Sequence, residues 1–322
     1  GGFDPFAPPV PRVWSIRAGA PFVDALARGI VSAVGNDPLA LSAVTVLLPT
    51  RRACRSLREA FLRLSGGRPM LLPRMSPLGD IDPDALDIGL GDLPGGSEAL
   101  DLPPVIAGTR RQLLLARLID AKAKREGEDI GPDQAAWLAA DLGRLIDEVE
   151  TEGLSFDNLD RLVPDDLATH WQKTVNFLDI VTHAWPAVLE EEGAVDGARR
   201  RNLVLDAQAA LWRERPPDAP VIAAGSTGSI PATRRLLDVI ARLPRGCVIL
   251  PGLDPVTDDD AWEALDEGHP QFGLRQLLGT LGVDRTAVGD WPAPPDTQGP
   301  RPVDRRRLLA ETFRPAATTD AW

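Results

Sequence analysis

Four short stretches of this 322-residue chain combine strand ends with residue types that could do chemistry. The first, Ser15-Ile16-Arg17-Ala18-Gly19-Ala20-Pro21-Phe22-Val23, reads as a strand, a turn and a helix start, the arrangement that holds phosphates. A working phosphate loop needs glycines for close backbone approach, a lysine for the terminal phosphates and a hydroxyl for Mg²⁺. Here Pro21, Phe22 and Val23 fill the positions of the last glycine, the lysine and the Ser/Thr, and Gly19 is left without them. Pro21 also removes an N–H donor. The lysines Lys122, Lys124 and Lys173 follow Ala121, Ala123 and Gln172, so the chain has no Gly-Lys pair. The second stretch, Val221-Ile222-Ala223-Ala224-Gly225, is an apolar run of the kind that ends in Mg²⁺-holding carboxylates in an ATPase. It ends in Ala224-Gly225 instead. The two strand ends are expected side by side in one sheet. An ordinary β–α turn is the expectation, and nucleotide binding through backbone N–H groups and helix dipole alone is the alternative.

The other two stretches keep groups suited to an anion. Gly225-Ser226-Thr227-Gly228-Ser229 joins a strand to a helix start and offers hydroxyls and N–H groups to a phosphate. The first expectation, though, is that Ser229 or Thr227 caps the helix beginning near Pro231, and the anion site is the alternative. Pro49-Thr50-Arg51-Arg52 is again a strand end leading into a helix; Thr50 either caps that helix or holds a phosphate. Arg51 and Arg52 put cations at the positive end of a helix dipole; a solvated surface is the expectation, and contact with an anionic partner such as DNA is the alternative. The clusters Arg199–Arg201 and Arg305–Arg307 read as solvated faces, and Asp258-Asp259-Asp260 as helix N-terminal capping rather than a metal site. The tryptophans Trp137, Trp171, Trp185 and Trp212 are expected to pack a helical region rather than to stack on bases.

The elements that must position these residues follow from periodicity. Val13–Arg17 is a short strand and Phe22–Val34 a helix with apolar Phe22, Leu26, Ile30 and Val34. Val44–Leu48 is a continuous apolar run, as in a strand buried on both faces, and Arg51–Leu64 is an amphipathic helix. Ser76–Pro104, rich in Asp, Gly and Pro, reads as an acidic exposed connection. Helical patterns then run over Thr109–Glu126, Pro132–Glu150, Leu167–Glu192 (with Pro186 expected to kink it) and Gly197–Arg213. Strand and helix alternate again: Pro220–Ala224, Pro231–Leu243, Cys247–Leu250, Gln271–Leu281, a Pro-rich stretch at Trp291–Pro302, and a helix starting near Asp304. This order predicts an α/β parallel sheet interrupted by an all-helical region. The expected divisions are 1–104, a helical insertion at 105–215, the second α/β part at 216–300, and the start of a following region at 301–322.

Composition narrows the classes. Lys+Arg 35 against Asp+Glu 47 gives a net charge of −12, a poor balance for a free-standing nucleic-acid binder. The hydrophobic fraction of 43% is that of a globular chain. No apolar run is long enough for a membrane helix and Gly1–Pro11 lacks the pattern of a secretory signal, so a cytoplasmic protein is expected. Cys54 and Cys247, with His170, His183 and His269, are too few and too scattered for a zinc site.

The order of these features resembles the N-terminal part of the AddB family, the second subunit of the bacterial AddAB helicase–nuclease, in its α-proteobacterial branch. The likeness is carried by Ser15–Val23, by Val44-Thr45-Val46-Leu47-Leu48-Pro49-Thr50-Arg51-Arg52-Ala53, by His170-Trp171-Gln172, and most specifically by Val221–Thr233. It extends over essentially the whole chain. The resemblance implies a RecA-like, superfamily 1 helicase-like sheet domain with a helical insertion. It implies a role in double-strand break repair, with an AddA-type motor/nuclease subunit and DNA ends as partners and scanning of the single strand as the task. It places Thr50, Arg51 and Arg52, and only these, where such helicases contact single-stranded DNA; that the hydroxyls of Ser226, Thr227 and Ser229 could cradle DNA backbone is read from the loop itself. Some members keep a Gly-Lys-Ser/Thr loop; this chain departs from them, so no ATP hydrolysis is expected of it, and no cofactor. The family's iron–sulfur cluster and nuclease metal are expected only in a C-terminal region beyond residue 322. An ATP-binding helicase domain with an unorthodox loop, and a purely structural partner-binding module, are the alternatives.

Overall fold

The computed structural model describes residues 3–35, 37–78, 102–154, 179–292, 301–315 and 318. Six strands, β1 (Val13–Ile16), β2 (Thr45–Leu48), β3 (Arg74–Pro77), β4 (Val221–Ala224), β5 (Gly246–Pro251) and β6 (Gly289–Asp290), form one sheet in the order β3-β2-β4-β5-β1-β6. Every pairing is parallel. Parallel sheets need cover on both faces, which is why β2 and β4 are buried at every position.

Alternate residues of each strand feed two separate cores, as the period-2 pleat requires. Val46, Leu48, Ile222, Ala224, Cys247 and Ile249 face α1 (Phe22–Val34) and α3 (Arg51–Ser65), with α2 (Pro38–Ala43) between them in sequence. Leu47, Val221, Ala223, Val248 and Leu250 face the other way, onto α8 (Pro231–Arg242), the short α9 (Asp259–Glu263) and α10 (Phe272–Leu281). Right-handed crossovers explain the division. The chain steps toward β3 after β1 and β2, and toward β6 after β4 and β5, so the two sets of helices land on opposite faces.

Between β3 and β4 in sequence come α4 (Gly108–Arg125), α5 (Pro132–Glu152), α6 (Trp185–Glu192) and α7 (Gly197–Glu214). A single π-turn at Ile180–Ala184 precedes α6, and Pro186 sits in the first turn of α6. Pro186 has no N–H to give the preceding turn, and the backbone there widens; residues 167–178 of the expected helix lie outside the described residues. Leu115, Ile119, Ala139, Leu142, Ile146, Ile180 and Trp185 form a third core of their own. Asp196, almost fully buried, ties it together: its carboxylate meets Arg111 Nε at 2.6 Å and accepts from Trp185 Nε1 at 2.8 Å. Burial pushes the Asp196 carboxyl upward, against the pull of Arg111.

Three expectations change here. Trp212 packs with Val204, Leu205 and Ala209 of α7 into the core under the sheet, because that part of α7 covers α8, while its start stays on α5, where Arg201 donates to Thr151 Oγ1 and Asn202 to the Glu150 carbonyl. Trp137 is 75% exposed on α5. The strand ends at Ile16 and Ala224 are not neighbours, since β5 pairs with β1 on one side and β4 on the other. Two short strands at the sheet edges, β3 and β6, carry no apolar alternation and are absent from the periodicity reading. The segment His170-Trp171-Gln172, and most of the acidic connection after Ser76, lie outside the described residues.

Candidate functional site

In open parallel sheets ligands bind outside the carboxyl ends of strands, where neighbouring strands send their helices to opposite faces. This sheet has two such places, β2/β4 and β5/β1.

At β2/β4 the register sets Leu47 against Ala223, so the stretches that follow, Pro49–Arg52 and Gly225–Ser229, leave the sheet side by side. Gly225 turns at φ +80°, and a methyl group added there would lie 3.3 Å from Phe22 Cε1 and 3.6 Å from Pro49 Cδ. Two groups of residues read separately in the sequence thus meet at one crevice. Thr50 is the N-cap of α3: its Oγ1 accepts from the Ala53 N–H at 3.0 Å. Arg51 and Arg52 are exposed on the first turn, and that turn holds no acidic residue. The same helix continues with exposed Arg55 and Arg58. Farther along the helix, Arg63 donates to Asp24 at 2.8 Å.

The Gly225–Ser229 loop differs from expectation. The N-cap of α8 is Ile230, and it makes no side-chain cap hydrogen bond, so neither Ser229 nor Thr227 caps the helix. Pro231 takes the first helical position and pushes the cap position onto an apolar residue. Ser226 Oγ instead accepts from the Gly228 N–H at 3.2 Å, closing a tight turn in which Gly228 has φ +64°. Arg234 holds the loop from below through the carbonyls of Gly228 (3.0 Å) and Ser229 (3.4 Å) and through Gln276 Oε1 (2.8 Å). Ser226 and Thr227 are half-buried and Ser229 is exposed.

The β1–α1 turn stands in contrast. Gly19 is exposed at φ +91°, and Pro21 is the N-cap of α1 with no side-chain cap bond. Phe22 and Val23 turn inward and pack in the same core as the fully buried Ala224. The position a lysine would need is thus filled by a phenyl ring against Gly225.

The second switch point, β5/β1, opens into a cleft of about 590 Å³ that the motif reading missed. Its floor is Ser15, Arg17, Gly252 and Leu253 at the strand ends, and its outer wall is Leu309 and Phe313 of α11 (Arg301–Thr312) and the turn after it. The size suits a small ligand, but the polar groups are largely engaged with one another. Gln271 donates to Gly252 O and accepts from the Asp254 N–H, both at 3.0 Å. His269 Nδ1 accepts from the Gln271 N–H at 3.0 Å, which leaves the proton of the neutral ring on Nε2. Arg285 is held by Thr257 O, by Asp259, and by the face of Trp262 at 4.8 Å. The Asp258 carboxyl caps α9, and the Ala261 N–H and then Arg314 hold it below the usual carboxylate range. The end of the apolar run Cys247–Leu250, as the carboxyl end of a buried parallel strand, is the sequence signal that could find it.

Cys54 and Cys247 are buried free thiols in the α1/α3 core, and burial pushes Cys247 far upward, so neither is set up as a nucleophile. Among the described residues no group of three His, Cys, Asp or Glu side chains could hold a metal ion, and no helix is long and apolar enough to cross a membrane. No protein-family model matches the chain, and no curated protein matches it.

Proposed function

We propose that this chain is a non-catalytic, helicase-like module that holds single-stranded DNA at the β2/β4 crevice. The observation that carries the reading is the convergence of Thr50, Arg51 and Arg52 with the Ser226–Ser229 loop at one strand-end crevice, beside a β1–α1 turn closed by Phe22. Backbone N–H groups, hydroxyls and exposed guanidinium groups together suit a phosphate backbone without base specificity. The parallel sheet with a helical run between β3 and β4 is compatible with a RecA-like domain carrying an insertion. The resemblance to AddB proteins adds the context: double-strand break repair, with an AddA-type motor subunit supplying ATP-driven movement and DNA ends as substrate, in the cytoplasm.

The test is a pair of measurements on the full chain. Arg51→Ala with Arg52→Ala is expected to weaken oligonucleotide binding and to flatten the log–log salt dependence by about 1.4, or about 0.7 for each phosphate no longer neutralised. Unchanged affinity and slope would sink the DNA reading. The purified chain, free of any motor subunit, is expected to show no ATP turnover, because Phe22 and Ala224 offer neither cation nor carboxylate. Measurable turnover would favour the active-ATPase alternative instead.

A further inference from the structure

The exposed cations of α3 do not stop at its first turn. At about 100° per residue, Arg51, Arg55 and Arg58 fall within about 60° of one another on the helix, and Arg52 flanks them on the same side. All four are exposed. Arg52, Arg55 and Arg58 make no hydrogen bond or ion pair with a described residue, although acids outnumber cations in the chain and most of its other arginines have found partners. Glu59 is the one acid on this face. The opposite face, Cys54, Leu57, Ala60 and Phe61, is buried, so the orientation of the stripe is fixed by packing. Cations over the first two turns oppose the helix dipole, so nothing in the helix itself favours them there.

We infer that Arg55 and Arg58 extend the phosphate-binding surface, so that a single strand leaving the β2/β4 crevice runs along α3 for about 10 Å of its length. This rests on the reading of that crevice as a single-strand site, and adds to it the path of the strand. Charge complementarity selects the occupant: a row of guanidinium groups with no aromatic side chain among them suits a phosphate backbone and gives no means of reading bases.

The experiment compares the wild-type chain, Arg55→Gln with Arg58→Gln, and Glu59→Gln, using an oligothymidylate of about 20 nucleotides, longer than a typical single-strand site. The double variant is expected to lower the salt slope by about 1.4 and, near 0.1 M salt, to weaken binding by roughly 25-fold. Its thermal midpoint is expected to stay at the wild-type value, since the replaced groups are exposed. Glu59→Gln is expected to tighten binding, a change that damaged folding would not produce. A double variant that binds like wild type overturns the path along α3 while leaving the crevice reading intact. A wild-type chain that binds no oligothymidylate at low salt overturns both. Equal capture of polyglutamate by wild type, abolished in the double variant, assigns the stripe to an acidic protein and overturns the inference.

Discussion

The β1–α1 and β2–α3 turns are built alike, each running from a buried parallel strand into a helix on the same face of the sheet, yet they end as opposites. The first is closed: Phe22 and Val23 fold into the core, and the Phe22 ring packs against Gly225. The second is open: Thr50 satisfies the helix start with its own hydroxyl, and the residues after it are arginines facing solvent. An anion reaches a helix N-terminus only if its approach is unobstructed. The first turn therefore packs the core, and the second leaves guanidinium groups at the surface.

Substitutions in the two helices can break or sharpen that contrast. The largest effect is expected on the inner side of α1, where a methyl group at Gly29 would lie 2.3 Å from the buried Trp291 ring. Gly29→Ala should cost about 3 kcal/mol, as overpacking at the severe end does, and urea unfolding would read it. Phe22→Ala should cost about 2 kcal/mol, less than a fully buried Phe because the ring is only half-buried. If Phe22→Ala leaves the unfolding midpoint in place, the first turn is not held shut by apolar packing. Thr50→Ala should cost about 1 kcal/mol through loss of the cap to Ala53. The smallest stability effect is expected for Arg52→Ala, within about 0.5 kcal/mol, yet the same change should lower the salt slope of oligonucleotide binding by about 0.7. A large loss of stability at Arg52, or none at Gly29, would erase the distinction between the two turns.

Local pattern was a good guide where one interaction range dominates. The uninterrupted apolar run Val44–Leu48 could only be a strand covered on both faces, and it is. Of the apolar side expected in α3, Leu57, Ala60 and Phe61 are buried and Ala53 is half-buried, but Leu64 near the helix end is exposed. Asp258 before an acidic first turn read as a cap, and its carboxylate accepts from the Ala261 N–H at 2.9 Å. The same logic failed at Ser229 and Thr227, where a proline one position downstream of Ile230 displaced the cap. It also failed at Trp137 and Trp212, because an aromatic at helical spacing does not say which neighbour it meets.

The amino-acid order alone determined the α/β alternation, the helix faces, and the lack of a lysine and a carboxylate at the two strand ends where nucleotide chemistry needs them, since these depend on residue type and on spacings of a few positions. The tertiary structure alone decided that β5 separates β1 from β4, that β2 and β4 are neighbours, and hence that Thr50–Arg52 stands beside Gly225–Ser229. Strand order is set by which distant apolar faces cover one another under the handedness of the crossovers, and that information is not held within any one segment.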